Sequence, residues 1–304
     1  MTSSGPSLEG LIAASPSLAA PLRGARRAAA TASPILILGE SGTGRTSLAR
    51  AIHDLSARPG RLVEVDVGTI PSTLFESELF GYRAGAFSGA DTDYPGRVAR
   101  AHEGTLVLDH VEELPLEIQP KLLRLLAEGV YAPLGGADRE AETRVLAIAT
   151  EEIQERVSRG FFRDDLYFRL DVLSFTLPPL RRRIEDLEPL VEAMLEDLRA
   201  RYQRPGLTLA PSALAWMRRY RWPGNLRHLR NVLERQLVMT DADSLDPGSP
   251  RDLEGERPRP LKEVERDEIL RALAFTRGHQ GKAAALLGVS RKALWEKRRR
   301  FGIP

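Results

Sequence analysis

Residues 39–46 read GESGTGRT, and they run from the apolar stretch PILIL (34–38) into TSLARAIHDL, whose apolar spacing is helical. A glycine-rich loop between a strand and a helix, of the form G-x-x-x-x-G-K-[ST], cradles phosphates with backbone N–H groups. In that form the lysine reaches the β- and γ-phosphates and the hydroxyl holds Mg²⁺. Gly39, Glu40, Ser41, Gly42, Thr43, Gly44, Arg45 and Thr46 fill the pattern here, with arginine at the lysine position. The stretch predicts a nucleotide site and leaves open how it treats its ligand.

Outward from the loop, LVEVDV (62–67), TLVLD (105–109), RVLAIAT (144–150) and VLSFTL (172–177) join PILIL as short apolar runs, with helical patterns between them. That alternation predicts an α/β fold with a parallel sheet sandwiched by helices. TLVLD delivers Asp109 to the carboxyl edge of the sheet, where a carboxylate can enter the Mg²⁺ shell; on its own a strand ending in aspartate is more often a turn residue, and paired with the loop it points to a nucleotide site. After LPPLRRR the pattern turns all-helical near 184–202, 211–220 and 226–240, which predicts a small lid. Residues 241–260 are rich in Pro, Gly, Asp and Arg without periodicity and read as a linker. The expected division is 1–180 for the nucleotide-binding part, 181–240 for the lid, 241–260 for the linker and 261–304 for a separate helical module.

Composition narrows the partners. The 304 residues carry a net charge of +2, so total charge says little. Its distribution says more: residues 281–304 hold seven basic side chains against the single acid Glu296, a footprint for nucleic acid. GKAAALLGVSRKALWEKRRRFG reads as a helix to Leu287, a turn at Gly288–Val289, a capping Ser290 and a second helix. Lys282, Ser290, Arg291, Lys292, Lys297 and Arg298 are the candidate DNA contacts, because the second helix of such a pair enters the major groove. A three-helix bundle with a solvated basic face fits the same pattern. With no cysteine, disulfides and thiolate-bound zinc are excluded, and a reducing cytoplasm is expected. No apolar run approaches membrane-spanning length, so no membrane association is expected. The Arg/Ala/Ser-rich stretch to Ser33 superficially resembles an organelle transit peptide, but Leu18, Leu22 and Ala29 predict a helix leading into the first strand.

Taken together, GESGTGRT, ESELFGYRAGAFSGA, GTLVLDHVEELP, FFRDDLYFRLDV, LPPLRRRIEDL and WPGNLRHLRNVLER resemble the AAA+ domain of bacterial enhancer-binding proteins, the sigma-54-dependent transcription activators, from about residue 8 to 240. The C-terminal module resembles the Fis-type helix-turn-helix of that family. The resemblance implies ATP and Mg²⁺ as cofactors, Thr46 and Asp109 as metal ligands, and Arg227 as a lid contact to nucleotide. It implies a homo-oligomeric ring, usually a hexamer, that acts on the sigma-54 RNA polymerase holoenzyme, and dimeric reading of a palindromic duplex site.

Two blocks gain roles from the resemblance. Gly85, Ala86, Phe87, Ser88, Gly89 and Ala90 match the sigma-contacting loop, with serine where threonine is usual. Out of context the same stretch fits a hairpin whose Phe packs inward. Arg163 and Arg169 match the arginines that reach a neighbour's nucleotide, although both could pair with Asp164, Asp165 or Asp171. Four departures cluster on hydrolysis: Arg45 for lysine, His110 for the water-orienting glutamate, Thr150 for the sensor asparagine, and Asp66 for the asparagine that bonds that glutamate. Losing a positioned general base costs about 10²–10⁴ in rate. Two readings follow, an ATPase that activates sigma-54 promoters or a nucleotide-binding DNA regulator that hydrolyses little. Asp66 and His110 are expected to meet, raising the imidazole pKa. An unrelated P-loop enzyme such as a kinase leaves the 85–90 block unexplained.

Overall fold

The computed structural model describes residues 15–247, 261–276, 278–301 and Ile303. Residues 8–14 of the matching segment and 248–260 of the expected linker lie outside them. The described residues form two compact units, divided between Pro247 and Gly248.

Five strands make the central sheet of the first unit: β1 (Ile35–Gly39), β2 (Leu62–Asp66), β3 (Thr105–Asp109), β6 (Arg144–Ala149) and β7 (Ser174–Leu177). Their order is β2-β3-β6-β1-β7, all parallel. The inner strands β1 and β6 are buried along their whole length, and β3 nearly so, because helices cover both faces. One face packs the core around Leu36, Phe75, Leu79, Leu106 and Leu122; the other packs Leu22, Ile35, Ile37, Leu48 and Ile52. The flanking helices are α1 (Ala19–Ala29), α2 (Arg45–Leu55), α3 (Ser72–Phe80), α4 (Gly96–Arg100), α5 (Gln119–Glu128), α6 (Ile153–Ser158) and α7 (Asp164–Leu170). A hairpin, β4 (Val130–Tyr131) with β5 (Arg139–Glu140), projects between α5 and β6 and was not foreseen from sequence. Arg144, buried at the amino edge of β6, donates to the carbonyls of Ala28, Ala29 and Ser33 and so closes the C-terminal end of α1. Burial pushes its pKa down to about 10.

Three helices form the lid: α8 (Leu187–Tyr202), α9 (Pro211–Met217) and α10 (Asn225–Met239). It is not all helical. Thr208–Leu209 (β8) pairs in parallel with Ser244–Leu245 (β9), and Arg204 donates to the carbonyls of Thr240, Asp241 and Ala242. These contacts carry the folded first unit to Pro247, across residues 241–247 of the expected linker. The composition of 241–247 suggested a linker because a two-residue strand leaves no periodicity to read.

The second unit holds α11 (Leu261–Phe275), α12 (Gln280–Leu286) and α13 (Arg291–Phe301) around Ile269, Ala283, Ala284 and Leu294. Gly288 turns between the last two helices at φ +65°, where a side chain is strained, and the Ser290 hydroxyl accepts from Ala293 N at 3.1 Å as a cap.

Candidate functional site

The phosphate loop is shaped by two glycines. Gly42 (φ +78°) lies so close to the lid that an added Cβ would stand 2.4 Å from the Gly224 carbonyl, and Gly44 (φ +106°) starts α2. The lid turn WPGNLR closes over the loop. Asn225, fully buried, accepts from Leu180 N at 2.8 Å and donates to the Ser41 carbonyl at 3.0 Å, while Leu226 N donates to the Gly42 carbonyl. Arg227 donates to the Ser41 hydroxyl at 3.1 Å. Below the loop, buried Arg183 donates to the Thr43 carbonyl and to the Ser15 hydroxyl. Thr43 returns its own hydroxyl to the Glu40 carbonyl. A cavity of about 300 Å³ lies between loop and lid, lined by Gly44, Thr46, Asp109, His110, Arg227 and Arg230 among others. A larger recess of about 450 Å³, beside Arg58 and Arg144 at the other edge of the sheet, gathers none of the residues singled out from sequence.

Glu40 does not face this cavity as a ligand would. Its carboxylate accepts both terminal nitrogens of Arg181 and the Asn225 amide, which pull its pKa below the ordinary range despite partial burial. Thr46 Oγ1 and Asp109 Oδ2 converge at 3.4 Å, a hydroxyl beside a carboxylate, which is the donor set a hard divalent cation takes. Asp109 Oδ1 also accepts from His110 N at 2.9 Å.

Arg45 also lines the cavity, and its guanidinium reaches back to the strand ends beside Asp109. Only 5% exposed, it folds under the loop, and its Nη1 donates to the carbonyls of Gly39 and Ala149, each at 2.8 Å. Nη2 lies 3.7 Å from Asp109 Oδ1. Burial lowers its pKa, opposed by the charges of Asp109 and Glu112. Register places Asp66 opposite Asp109 across β2 and β3, and His110 Nδ1 meets Asp66 Oδ1 at 3.0 Å. His110 itself sits at φ +56°. Burial works against a charge on the ring, but the hydrogen bond to Asp66 and the charges of Asp109, Asp66 and Glu112 prevail and raise its pKa above 6.5.

Thr150, at the carboxyl end of β6, bonds to a residue that sequence reasoning passed over. Glu112, only 4% exposed, accepts through Oε1 from Thr150 N (3.0 Å) and Thr150 Oγ1 (2.9 Å). Asn225, Arg181, Arg183 and Glu112 were all missed; the last stood in plain view, an acid three residues past Asp109.

The other candidate groups lie elsewhere. Arg163 is exposed and paired bidentately with Asp165, and Arg169, also exposed, donates to the Leu126 carbonyl. Residues 85–90 form a tight exposed turn in which Gly85 N donates to the Ala90 carbonyl and Ala90 N to Phe87. Its base is pinned by Asp93, which accepts from Ala84 N and Arg83. Phe87 is 45% exposed and touches Tyr82 edge-on, so it is not packed inward. In the second unit Lys282, Ser290, Arg291 and Lys292 are exposed. Lys297 is not a free basic group: it pairs with Glu265 on α11, and Arg298 is half-buried. Trp295 and Arg299, overlooked from sequence, are exposed on the face that carries Arg291. Among the described residues no helix is long and apolar enough to cross a membrane, and no cluster of three His, Cys, Asp or Glu could hold a metal.

A glycine loop after β1, an aspartate ending β3, an inner order β3-β6-β1 and a helical lid define an AAA+ nucleotide-binding fold followed by a helix-turn-helix. The sigma-54 interaction domain family matches residues 11–176, the AAA+ ATPase lid domain 181–260, and the Fis-family bacterial regulatory domain 260–301. The alginate biosynthesis transcriptional regulatory protein AlgB of Pseudomonas aeruginosa is 39% identical over 97% of this chain and 68% of its own length. The regulatory protein AtoC of Escherichia coli is 38% identical over 88% of this chain and 62% of its own. The chain thus spans about two thirds of the length of these relatives. The crystal structure of NtrX from Brucella abortus superposes with a TM-score of 0.75 at 30% identity, covering 97% of this chain and 70% of that one. Its complex with ATP gives 0.70 at 31%, covering 94% of this chain and 67% of that one. The chain belongs to the sigma-54-dependent transcription regulators.

The Asp66–His110 pair yields a pH prediction. A raised folded-state pKa means that the pair's stabilisation is full below the unfolded value near 6.5 and is lost as pH rises through the folded value. An NMR titration is expected to place the His110 midpoint above 6.5 and to find it lower in Asp66→Asn; an unchanged midpoint in that variant contradicts the pairing.

Proposed function

We propose that this chain is the nucleotide-binding and DNA-binding portion of a sigma-54-dependent regulator that holds ATP without turning it over at rates usual for an ATPase. The observation that carries this reading is the engagement of Arg45 and His110 by the protein itself. Arg45 Nη1 serves two backbone carbonyls, and His110 leans on Asp66, so no carboxylate stands at position 110 to orient water. The cradle of Gly42 and Gly44, the Asn225 bridge and Arg227 support binding itself. Thr46 and Asp109 would hold Mg²⁺, which supplies charge neutralisation to phosphates when bound. ATP and ADP appear in the complexes of NtrX, and that likeness supports the same ligands here.

The remaining roles extend the reading. Phe87 at the tip of an exposed turn gives residues 85–90 one apolar contact for sigma-54. Arg163 and Arg169, exposed and tied within the chain, would exchange those bonds for a neighbour's nucleotide in a homo-oligomeric, hexameric ring. The C-terminal unit would bind duplex DNA as a dimer at a palindromic site, in the cytoplasm. A competing reading, a working ATPase, draws on those exposed arginines and the retained 85–90 turn.

Phosphate release from the purified chain, with and without duplex DNA, decides between them. Slow or absent release is expected, rising by about 10²-fold or more in the combined variant Arg45→Lys, Asp66→Asn, His110→Glu; ordinary turnover by the parent contradicts the proposal. For DNA, Arg291→Ala with Lys292→Ala should weaken binding and reduce the salt slope by about one per lost phosphate contact, whereas Lys297→Ala, already paired to Glu265, should change it little. A salt-titrated shift assay in which Lys297→Ala is the more damaging change contradicts that assignment.

A further inference from the structure

One peptide unit ties the unusual residues of the site together. The carbonyl of Ala149 accepts from Arg45, and the N–H of the following residue, Thr150, donates to Glu112. Arg45 and Glu112 therefore grip the two ends of the Ala149–Thr150 peptide, at the carboxyl edge of β6. That strand lies between β1, which carries the phosphate loop, and β3, which ends in Asp109. The edge of β6 is thus where a phosphate chain extending from the loop toward Asp109 meets the sheet. Two groups there could bond a terminal phosphate: the cation at the loop's lysine position, and the hydroxyl of Thr150. Both are already engaged within the chain, although Arg45 also lines the cavity. Arg45 is buried on the carbonyls of Gly39 and Ala149, and the Thr150 hydroxyl is directed at Glu112 Oε1. Glu112 also brings a buried carboxylate whose Oε2 has no hydrogen-bond partner among the described residues, a charge that disfavours a further phosphate nearby.

We infer that this site binds a nucleotide without reading its third phosphate, because Arg45 and Glu112 clamp the Ala149–Thr150 peptide and withhold both γ-phosphate contacts. Nucleoside diphosphate and triphosphate then bind about equally, and occupancy rather than hydrolysis state is what the lid responds to. The inference rests on the nucleotide-binding reading of the loop. It differs from slow turnover: a site could fail to hydrolyse ATP and still prefer it strongly to ADP. Each charge-assisted contact to a phosphate oxygen is worth roughly tenfold in affinity or more, so a site that used both would separate the two ligands widely.

The test is competition of ADP and of a non-hydrolysable ATP analogue against a fluorescent ADP analogue on the full chain, with Mg²⁺ in both arms. Affinities within about threefold of each other are expected. The variant Arg45→Lys with Glu112→Ala releases the peptide and the Thr150 hydroxyl together, and should favour the triphosphate by about tenfold or more. A preference of that size in the parent overturns the inference and indicates that Arg227, on the lid side of the cavity, reads the γ-phosphate instead. Equal affinities in a folded double variant overturn the clamp as the cause. If that variant does not fold, as judged by circular dichroism, the parent ratio alone decides. Displacement by neither nucleotide removes the binding reading itself, an outcome distinct from a triphosphate preference.

Discussion

A single guanidinium holds the phosphate loop to the sheet. Arg45 Nη1 bonds the carbonyl that ends β1 and the carbonyl that ends β6, and Nη2 faces Asp109 at the end of β3. Three strand ends therefore meet at one buried cation. Arginine suits this place and lysine does not: the planar fork presents several donors in fixed directions, whereas an ammonium on a flexible stem is a point charge suited to reaching a phosphate. Burying a cation is costly unless it is bonded and paired, and here the carbonyls, Asp109 and Glu112 supply that compensation. The arginine of GESGTGRT thereby ties the loop to the sheet.

The surrounding contacts are consistent with that tie. Glutamate at 112 pairs with the hydroxyl and N–H of Thr150, so the sensor strand is held from both ends of one peptide. Histidine at 110 finds its partner in Asp66, one strand over and in register with Asp109. Meanwhile the parts that grip a nucleotide's backbone are intact: glycines at positive φ, a lid bonded to Ser41 and Gly42, and a hydroxyl–carboxylate pair at Thr46 and Asp109.

How much of this was legible in the sequence follows from how local each signal is. The inner strands were readable because burial on both faces makes them continuous apolar runs, and the loop because its glycines and flanks are adjacent in sequence. The helix-turn-helix was readable for the same reason. The direction of Arg45 was not, since its second carbonyl lies 104 residues away, and neither was the Asn225 bridge, 184 residues from Ser41. The pairing of Lys297 with Glu265 was not legible either, because it is a tertiary contact between helices. The short β8–β9 pair carries no pattern at all at two residues per strand. Pattern reading singled out the loop, and only the contacts across the sheet edge show what Arg45 and Glu112 bond.

The central claim, that Arg45 is a structural tie, is tested most directly by thermal unfolding of nucleotide-free protein, comparing the parent with Arg45→Lys. A lysine keeps the charge but ends one bond short of the Nη1 that serves both carbonyls, and hydrogen bonds from a charged donor are worth about 1.5–3 kcal/mol each. A loss of that size lowers the midpoint of a unit this large by about 3–10 °C. An unchanged or higher midpoint for Arg45→Lys would contradict the account, since it would show the arginine to be free for a ligand rather than engaged by the fold.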